Sequence, residues 1–409
     1  MQQQETGNSA LGAWHGMALS LIFSAAMSAP SSATAQAQWA RVAYEGASFT
    51  VTGSQQVRYG NNGSWVYKTV SGTQRCSNEV FGRDPLVGVG KVCEVNRASP
   101  GTPPPAPNPH AGHGPTINDA LIPTGSAGIA EDRLYPTSER PAASDVGAFR
   151  TVCEFSHMAY DDPLVYPGQP GRSHLHVFFG NTGVNAHSTA DSIAYSGNST
   201  CRGGTVNRSA YWVPAMIDTR EGRPLKPMDS NFYYKSGYYG VPPRNINAIP
   251  QGLRMIAGNA QNDGPQGPHR YKCVGDGVDP MYSQSIPNCP AGSELWLEID
   301  FPQCWDGRNL DSADHKSHVA YANGSCPATH PVALPVITFN IRYMVTEAGA
   351  PLRWRLSSDM YDPSKPGGYS AHADWWNGWK PDIMDTWIRH CVQPGLDCHS
   401  HLLGDGRMM

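Results

Sequence analysis

The sequence predicts a mostly β protein with two parts: a small N-terminal β module and a larger, disulfide-stapled domain of β-sandwich or jelly-roll type with few helices. Three observations predict this class. The 409 residues include 43 glycines and 35 prolines, which indicates many turns. Several short segments alternate between apolar and polar residues, as half-buried strands do. The ten cysteines form an even set with irregular spacing, which is typical of disulfides in an oxidising compartment.

Residues 1–37 are predicted to be a signal peptide. Met17 to Met27 is an apolar run of suitable length, and Ala35-Gln36-Ala37 offers a cleavage site with small residues, although no Lys or Arg precedes the run. The run is too short to span a bilayer, and no later stretch is long and apolar enough to do so. We therefore expect a secreted, extracellular protein without a membrane span, acting as a monomer.

Residues 38–97 are predicted to form the small β module. Val57-Arg58-Tyr59 and Trp65-Val66-Tyr67 alternate, and Asn61-Asn62-Gly63 between them is a hairpin signal. Cys76 and Cys93 can staple so small a unit. The module resembles small β modules appended to secreted bacterial carbohydrate-active enzymes, through Phe49-Thr50-Val51-Thr52-Gly53, Val57-Arg58-Tyr59-Gly60, Phe81-Gly82-Arg83-Asp84-Pro85 and Lys91-Val92-Cys93. That resemblance implies glycan binding, with Tyr59, Trp65 and Tyr67 as stacking residues or, alternatively, as the core of the module.

Residues 98–145 are rich in proline, glycine and alanine and are predicted to be a linker. A tethered module raises the local concentration of a second domain on the same polymer. This layout suits a polymeric substrate.

Residues 146–409 are predicted to form the large domain. Glu294 to Phe301 and Val336 to Tyr343 alternate as strands, whereas Pro381 to Cys391 is the best helix candidate because Pro381 suits a first turn. The segment from His372 to Trp379 holds three tryptophans, which plug one end of the sandwich or line a sugar cleft; we favour the plug.

Two clusters in this domain carry candidate chemistry. The first follows Asp161-Asp162: His174 and His176 share one face of a predicted strand, roughly 7 Å apart at Cα, and can hold one metal ion or face a substrate. The second runs from Cys304 to His318 and combines acids, bases and histidines in a loop bounded by a cysteine. We expect the two clusters to meet in space. The structural alternative is a half-buried strand and a solvated loop.

Motifs along the large domain resemble the secreted DUF1996 family, which brings no established activity. These are Phe149-Arg150-x-x-Cys153, Ser156-His157, Asp161-Asp162-Pro163, Tyr166-Pro167-Gly168, Ser173-His174-x-His176, Phe178-Phe179-Gly180-Asn181, Tyr211-Trp212-Val213-Pro214-Ala215, Tyr233-Tyr234-Lys235, Cys304-Trp305-Asp306-Gly307, Asn309-Leu310-Asp311-Ser312 and Asp314-His315-Lys316-Ser317-His318-Val319-Ala320-Tyr321. The resemblance implies a secreted, β-rich domain.

The predicted function is a carbohydrate-active protein that cleaves a polysaccharide or cell-wall glycan, as a lyase or a glycoside hydrolase. The alternatives are a metal-dependent enzyme using Zn or Cu, and a non-catalytic glycan-binding or wall-associated protein. A formal net charge of −4 gives no support to nucleic-acid binding. The candidate catalytic residues are Asp162, His174, His176, Asp306, Asp311, Lys316 and His318; the candidate substrate-binding residues are Asn181, Tyr211, Tyr234, Trp305 and Arg308; the candidate ligands for a divalent metal are His174, His176 and His318.

Overall fold

The structure is a computed structural model that describes residues 39–61, 64–96, 114–144 and 146–409. The predicted signal peptide, the middle of the predicted hairpin turn and the first part of the predicted linker lie outside these residues. In the part of the chain that is described, no helix combines the length and the apolar character needed to cross a membrane.

Strands dominate the described residues, and most of them are short. Numbered in chain order, they are β1 Trp39–Tyr44, β2 Ser48–Asn61, β3 Ser64–Arg75, β4 Val92–Asn96, β5 Tyr135–Pro136, β6 Ala142–Ala143, β7 Ala148–Cys153, β8 Phe155–Ala159, β9 His176–Gly180, β10 Ala210–Pro214, β11 Met216–Asp218, β12 Arg223–Pro224, β13 Ser230–Lys235, β14 Arg254–Gly258, β15 His269–Val274, β16 Glu294–Asp300, β17 Cys304–Trp305, β18 Val319–Ala320, β19 Val332–Ala333, β20 Val336–Met344, β21 Trp354–Leu356, β22 His372–Trp376, β23 Leu396–Asp397 and β24 Arg407–Met408.

Helices in the described residues are few and short, as predicted. They are α1 Asn78–Phe81, α2 Ala190–Tyr195 and α3 Pro381–Trp387, with 3₁₀ turns at Asp119–Leu121, Pro243–Asn245 and Ala350–Arg353. The predicted helix after Pro381 is confirmed: the proline occupies the first turn, where a missing N–H costs nothing, and a π-helical turn over Ile388–Val392 continues it.

The N-terminal module is a four-stranded sheet in the order β1-β4-β2-β3. Its small core includes Val57 and Phe81 and is closed by a disulfide between Cys76 and Cys93. Tyr59, predicted to stack on sugar or to be core, is fully buried in this core and donates its hydroxyl to Glu45 at 2.6 Å. Its ring is therefore closed to a glycan.

Two sheets of the large domain pack face to face and form the predicted sandwich. One has seven strands in the order β15-β16-β20-β13-β7-β23-β6, and the other has five in the order β14-β22-β10-β9-β8. Aromatic rings join them across the interior: Phe179 lies 5.4 Å from Phe232, and Tyr211 lies 5.5 Å from Phe339, between ring centroids. The predicted mostly β class is confirmed.

The predicted alternation of β16 is also confirmed. Leu295, Leu297 and Ile299 are fully buried between the sheets. Glu298 and Asp300 point to the other face of the seven-stranded sheet, where Arg270 pairs with both at 2.7 and 2.9 Å. Both carboxylates are thus paired with a fixed cation.

Part of the predicted linker is built into the large domain. Strand β5 pairs with β24, and β6 pairs with β23. Residues 135–143 therefore contribute strands to the hydrogen-bonded framework of this domain.

All ten cysteines form disulfides, as predicted, and each pairs with its neighbour among the cysteines of the sequence. The pairs are Cys76–Cys93, Cys153–Cys201, Cys273–Cys289, Cys304–Cys326 and Cys391–Cys398.

The outer face of the five-stranded sheet is covered by the chain between β8 and β10. Leu164 and Ile193 from this segment pack on Phe178, Trp212 and Trp376 and form a second, smaller core. As a result β9, β10 and β22 are buried on both faces. Polar side chains at the ends of these strands are therefore enclosed as well.

Candidate metal centre

Three histidines and an aspartate come together on the outer face of the five-stranded sheet. His176 is the first residue of β9 and His372 the first of β22, and His174 lies two residues before β9. Because side chains alternate along a strand, Asp374 points to the same face as His372, while Ala373 between them faces the main core.

Strand pairing explains how residues so far apart in sequence meet. Strand β10 lies between β9 and β22, with Trp212 paired to Phe178 on one side and to Asp374 on the other. His176 pairs with Pro214 at the end of β10. The two imidazoles therefore approach each other across the end of β10, with ring centroids 5.7 Å apart. The His174 ring lies 4.2 Å from His176 and 5.0 Å from His372.

The hydrogen bonds of His176 and His372 fix their tautomers. The Nδ1 atom of His176 contacts the backbone oxygen of Asp161 at 2.9 Å, and that of His372 contacts the backbone oxygen of Ser370 at 2.9 Å. A carbonyl oxygen only accepts, so both Nδ1 atoms must carry the proton. Both Nε2 atoms then present lone pairs, and these two acceptors face each other at 3.5 Å.

Two carboxyl groups border the histidines. Asp374 is buried, and neither of its carboxylate oxygens has a hydrogen-bond donor among the described residues. Asp162 is also buried, but its Oδ1 accepts the backbone N–H groups of Leu164 and Val165 at 3.0 and 2.9 Å. Asp374 therefore stands out as an acceptor without a partner.

Ligand atoms converge in two overlapping groups. One consists of His174, His176 and His372, and the other of Asp162, His176 and Asp374; within each group the atoms lie within 4.8 Å of one another. An imidazole set with carboxylates suits zinc, copper or iron. The backbone carbonyls that orient the rings are the outer partners that metal-bound histidines usually have.

Burial sets the protonation of these groups. It lowers the pKa of His176 to about 4, and burial together with the neighbouring His176 lowers the pKa of His372 to about 3. Both imidazoles are neutral at physiological pH, as metal ligands must be. Burial raises the pKa of Asp162, and burial with the nearby Asp162 raises the pKa of Asp374 well above its usual value.

A cleft of about 460 Å³ opens onto the centre. His174, His372, Asp162 and Asp374 lie at its base, and the surrounding side chains are mostly polar or aromatic: Tyr166, Arg172, Asn259, Gln261, Asn262, Asp314, His315, Lys316, Met360 and Tyr361. The sequence-predicted meeting of the two clusters thus occurs through the Asp314–Lys316 part of the loop.

The other predicted catalytic residues of that loop have structural partners. Asp306 accepts the backbone N–H groups of Arg308 and Asn309 at 2.8 and 2.9 Å and so closes a turn. Asp311 pairs with Arg254 at 2.7 Å. His318 is buried, and its ring nitrogens contact the Ser312 hydroxyl at 2.9 Å and the Arg254 carbonyl at 2.7 Å. His318 therefore lies outside both ligand groups, and His372 supplies the third imidazole that the sequence analysis assigned to His318.

Lys316 is the one predicted residue of this loop that reaches the cleft wall. Its ammonium donates to the Gly258 carbonyl at 2.7 Å. His315 beside it has a left-handed φ of 56° and contacts Asp311 through Nδ1 at 2.9 Å. Such a backbone conformation is uncommon for a side chain larger than glycine and is often kept for function.

The predicted substrate-binding residues are mostly interior. Tyr211 and Tyr234 are fully buried and share a hydrogen bond of 2.8 Å between their hydroxyls, so neither can contact a polymer. Asn181 is buried, and its side-chain amide donates hydrogen bonds to the backbone carbonyls of Ile193 and Ser196. Trp305 is half-buried, with its indole N–H bonded to Asn309, and Arg308 is exposed away from the centre.

His372 and Asp374 were not among the residues predicted from the sequence. Their signal is His372-x-Asp374, which repeats the two-residue spacing of His174-x-His176 within an aromatic strand. The neighbouring tryptophans favoured a packing role for this segment over a sugar cleft. Their packing is confirmed, because Trp375 and Trp379 lie in the main core and Trp376 in the smaller one.

Comparisons with known proteins identify the family and no fold relative. No solved structure matches this chain at a significant level. A family profile described as "Domain of unknown function (DUF1996)" matches residues 162–379, a range that contains every candidate ligand of the centre. The chain belongs to the DUF1996 family.

Proposed function

We propose that this protein is a secreted, metal-dependent enzyme that cleaves a carbohydrate polymer. One observation is the main support for a bound metal. The Nε2 atoms of His176 and His372 face each other at 3.5 Å, and the Nδ1 proton of each ring is donated to a backbone carbonyl. Two acceptors at that distance repel unless a cation lies between or beside them. The third imidazole, His174, and the partnerless carboxylate of Asp374 supply further ligands.

Zinc is the first expectation for the metal. Catalytic zinc commonly takes three protein ligands, imidazoles with or without a carboxylate, and keeps a position for water, and zinc needs no redox partner. Bound there, the metal would polarise a substrate oxygen or supply an activated water at neutral pH. The chain's own groups orient the ligands through the Asp161 and Ser370 carbonyls.

The cleft supports a carbohydrate substrate. Its wall combines the carboxamides of Asn259, Gln261 and Asn262 with the rings of Tyr166 and Tyr361. Carboxamides bond to sugar hydroxyls and rings pack on the apolar faces of sugars. The five disulfides and the apolar leader run support secretion.

The test is metal analysis of the purified chain combined with a glycan-degradation screen with and without chelator. We expect one bound metal per chain, turnover of at least one polymer, loss of turnover in chelator and its return when zinc is added. Unsaturated products detected by ultraviolet absorbance identify a lyase, and new reducing ends without them identify a hydrolase. Binding across the panel without turnover would replace the proposal with a glycan-binding protein.

A second candidate needs no metal. The carboxylate oxygens of Asp162 and Asp374 lie within 4.8 Å of each other, and the pKa of both groups is raised. Paired carboxyls, one of them protonated, are the groups of a glycoside hydrolase. Turnover that survives chelation and fails in Asp162→Asn favours this candidate over the metal enzyme.

A further inference from the structure

A second cleft, of about 370 Å³, lies on the outer face of the seven-stranded sheet. The metal centre is on the outer face of the other sheet, so the two sites are on opposite faces of the sandwich. The floor of the second cleft comes from neighbouring strands: Tyr233 and Lys235 on β13, Trp296 on β16 and Asn340 on β20. These positions alternate with the core positions of the same strands.

Aromatic rings stand at the rim of this cleft. Tyr282 is 61% exposed and Tyr239 is 44% exposed. Tyr239 has a left-handed φ of 54°, and its hydroxyl donates to Asp300 at 3.1 Å. An unfavourable backbone conformation therefore holds an exposed ring in place, which is a feature found at ligand sites.

The cleft has an excess of positive charge. Glu298 is paired with Arg270 and Lys272 at 2.7 Å each, and Asp300 is paired with Arg270 at 2.9 Å. The Lys235 ammonium lies 4.3 Å from the centre of the Tyr233 ring, and in the described chain no carboxylate comes within ion-pair distance of it. Three cations thus face two carboxylates, and Lys235 is the one that forms no ion pair among the described residues.

Asn340 adds an unsatisfied acceptor. It is 5% exposed, lines the cleft, and its side-chain oxygen has no donor among the described residues. A buried acceptor without a donor costs free energy, which a ligand hydroxyl would recover. In the register of β13 and β20, Lys235 pairs with Val336 and Asn231 pairs with Asn340. The hydroxyl-binding and cationic positions are therefore four residues apart, about 13 Å along the strands.

We propose that this cleft binds an acidic polysaccharide, through sugar rings packed on Tyr282 and Trp296, a sugar carboxylate at Lys235 and a sugar hydroxyl at Asn340. Rings, hydroxyls and carboxylates spaced along one extended ligand match what the cleft offers. The metal centre takes no part in this recognition, so the second cleft holds the polymer independently of its cleavage.

The test is calorimetric titration of the full secreted chain, in chelator, with a hexameric oligogalacturonate and with cellohexaose as the neutral probe. We expect the acidic probe to bind at least tenfold more tightly and to weaken with added salt. Lys235→Gln and Tyr282→Ala should each weaken it about threefold to tenfold, as expected for one charge or ring contact. Thermal melting confirms that each variant is folded.

Two controls locate the site. Tyr135→Ala removes another half-exposed tyrosine, on β5, and His372→Ala disables the metal centre; both should bind the acidic probe as the unaltered chain does. Equal affinity for the two probes, unchanged binding in Lys235→Gln and Tyr282→Ala, or loss of binding in His372→Ala each overturns the proposal. Binding that persists without any turnover would end the enzyme proposal and leave this one standing.

Discussion

The Nε2 atoms of His176 and His372 lie 3.5 Å apart although the residues are separated by 196 positions in the chain. Each ring is held from behind by a backbone carbonyl, so neither can turn its proton toward the other. Without a metal the pair is two facing acceptors in a buried setting. Binding of a cation removes that repulsion and gains two ligands whose orientation is already fixed.

His372→Ala tests this arrangement directly. The variant should lose zinc affinity by more than about 100-fold, because it removes a ligand and not merely its support. His318→Ala is the informative counterpart, since the sequence favoured His318 and the structure places it elsewhere. It should keep one metal per chain and lose about 1–3 kcal/mol of unfolding free energy, because it removes a buried side chain that makes two hydrogen bonds. Zinc titration and urea denaturation of both variants measure these effects; loss of metal in His318→Ala would contradict the assignment.

Asp374→Asn should have opposite effects on the stability of the metal-free and the zinc-bound protein. In chelator at neutral pH we expect the variant to be about 1 kcal/mol more stable than the unaltered chain. It removes a buried carboxyl that has no donor and lies near Asp162, whereas the unfolded chain keeps that carboxyl hydrated. Saturating zinc should reverse the order, because only the unaltered chain retains the full ligand set.

Thermal melting of Asp374→Asn with chelator and with zinc gives both comparisons. Asp405→Asn, at a partly buried carboxylate already paired with Arg407, is the control and should show no reversal. An order that is the same in both conditions would contradict a ligand role for Asp374.

The sequence could identify His174 and His176 because their relationship is local. Two residues on one strand face can be read from alternation alone. Their meeting with His372 depends on β22 pairing with β10 and not with another strand, which is a long-range choice that the segment itself does not encode. Two of the three histidines were therefore predictable, and the third required the sheet order.

The alternation of apolar and polar residues also fails to identify the core face of a strand where the sheet is buried on both sides. In β16 the polar face carries Trp296 and Glu298, so the core face could be predicted. In β10 every residue is buried, and Tyr211 faces the main core while Trp212 faces the smaller one. An aromatic residue in such a strand looks the same in sequence whether it packs or binds substrate.

Tyr234→Phe tests the interior assignment of a predicted substrate residue. Its hydroxyl accepts the Trp379 indole N–H at 3.0 Å and is bonded to the Tyr211 hydroxyl at 2.8 Å. Removing it leaves two buried groups without that partner, so the unfolding free energy should fall by about 1–3 kcal/mol. Turnover and metal content of the folded variant should be unchanged. Tyr343→Phe is the matched control, because that buried hydroxyl bonds to no other side chain among the described residues. A large loss of turnover in Tyr234→Phe at unchanged stability would show that Tyr234 acts in substrate binding, as the sequence predicted.

His157 should make the protein less stable in acid. Its ring is stacked on Phe178 at 4.7 Å between centroids, and its nitrogens contact the Ser156 hydroxyl and the Val184 carbonyl. Burial lowers the pKa of His157 to about 4 in the folded chain, against about 6.5 when unfolded. Between those values the unfolded chain binds more protons, so the unfolding free energy falls as the pH falls. The loss approaches roughly 3 kcal/mol at the lower limit.

Urea denaturation in chelator at about pH 7 and about pH 4.5, for the unaltered chain and for His157→Gln, measures this contribution. His176 and His372 are also buried and neutral, so both proteins should lose stability in acid. The glutamine variant should lose less, because one proton-binding group of the unfolded chain is gone. His330→Gln, at a half-exposed histidine, should follow the unaltered chain. Equal losses in His157→Gln and the unaltered chain would show that the His157 ring is hydrated and not sealed against Phe178.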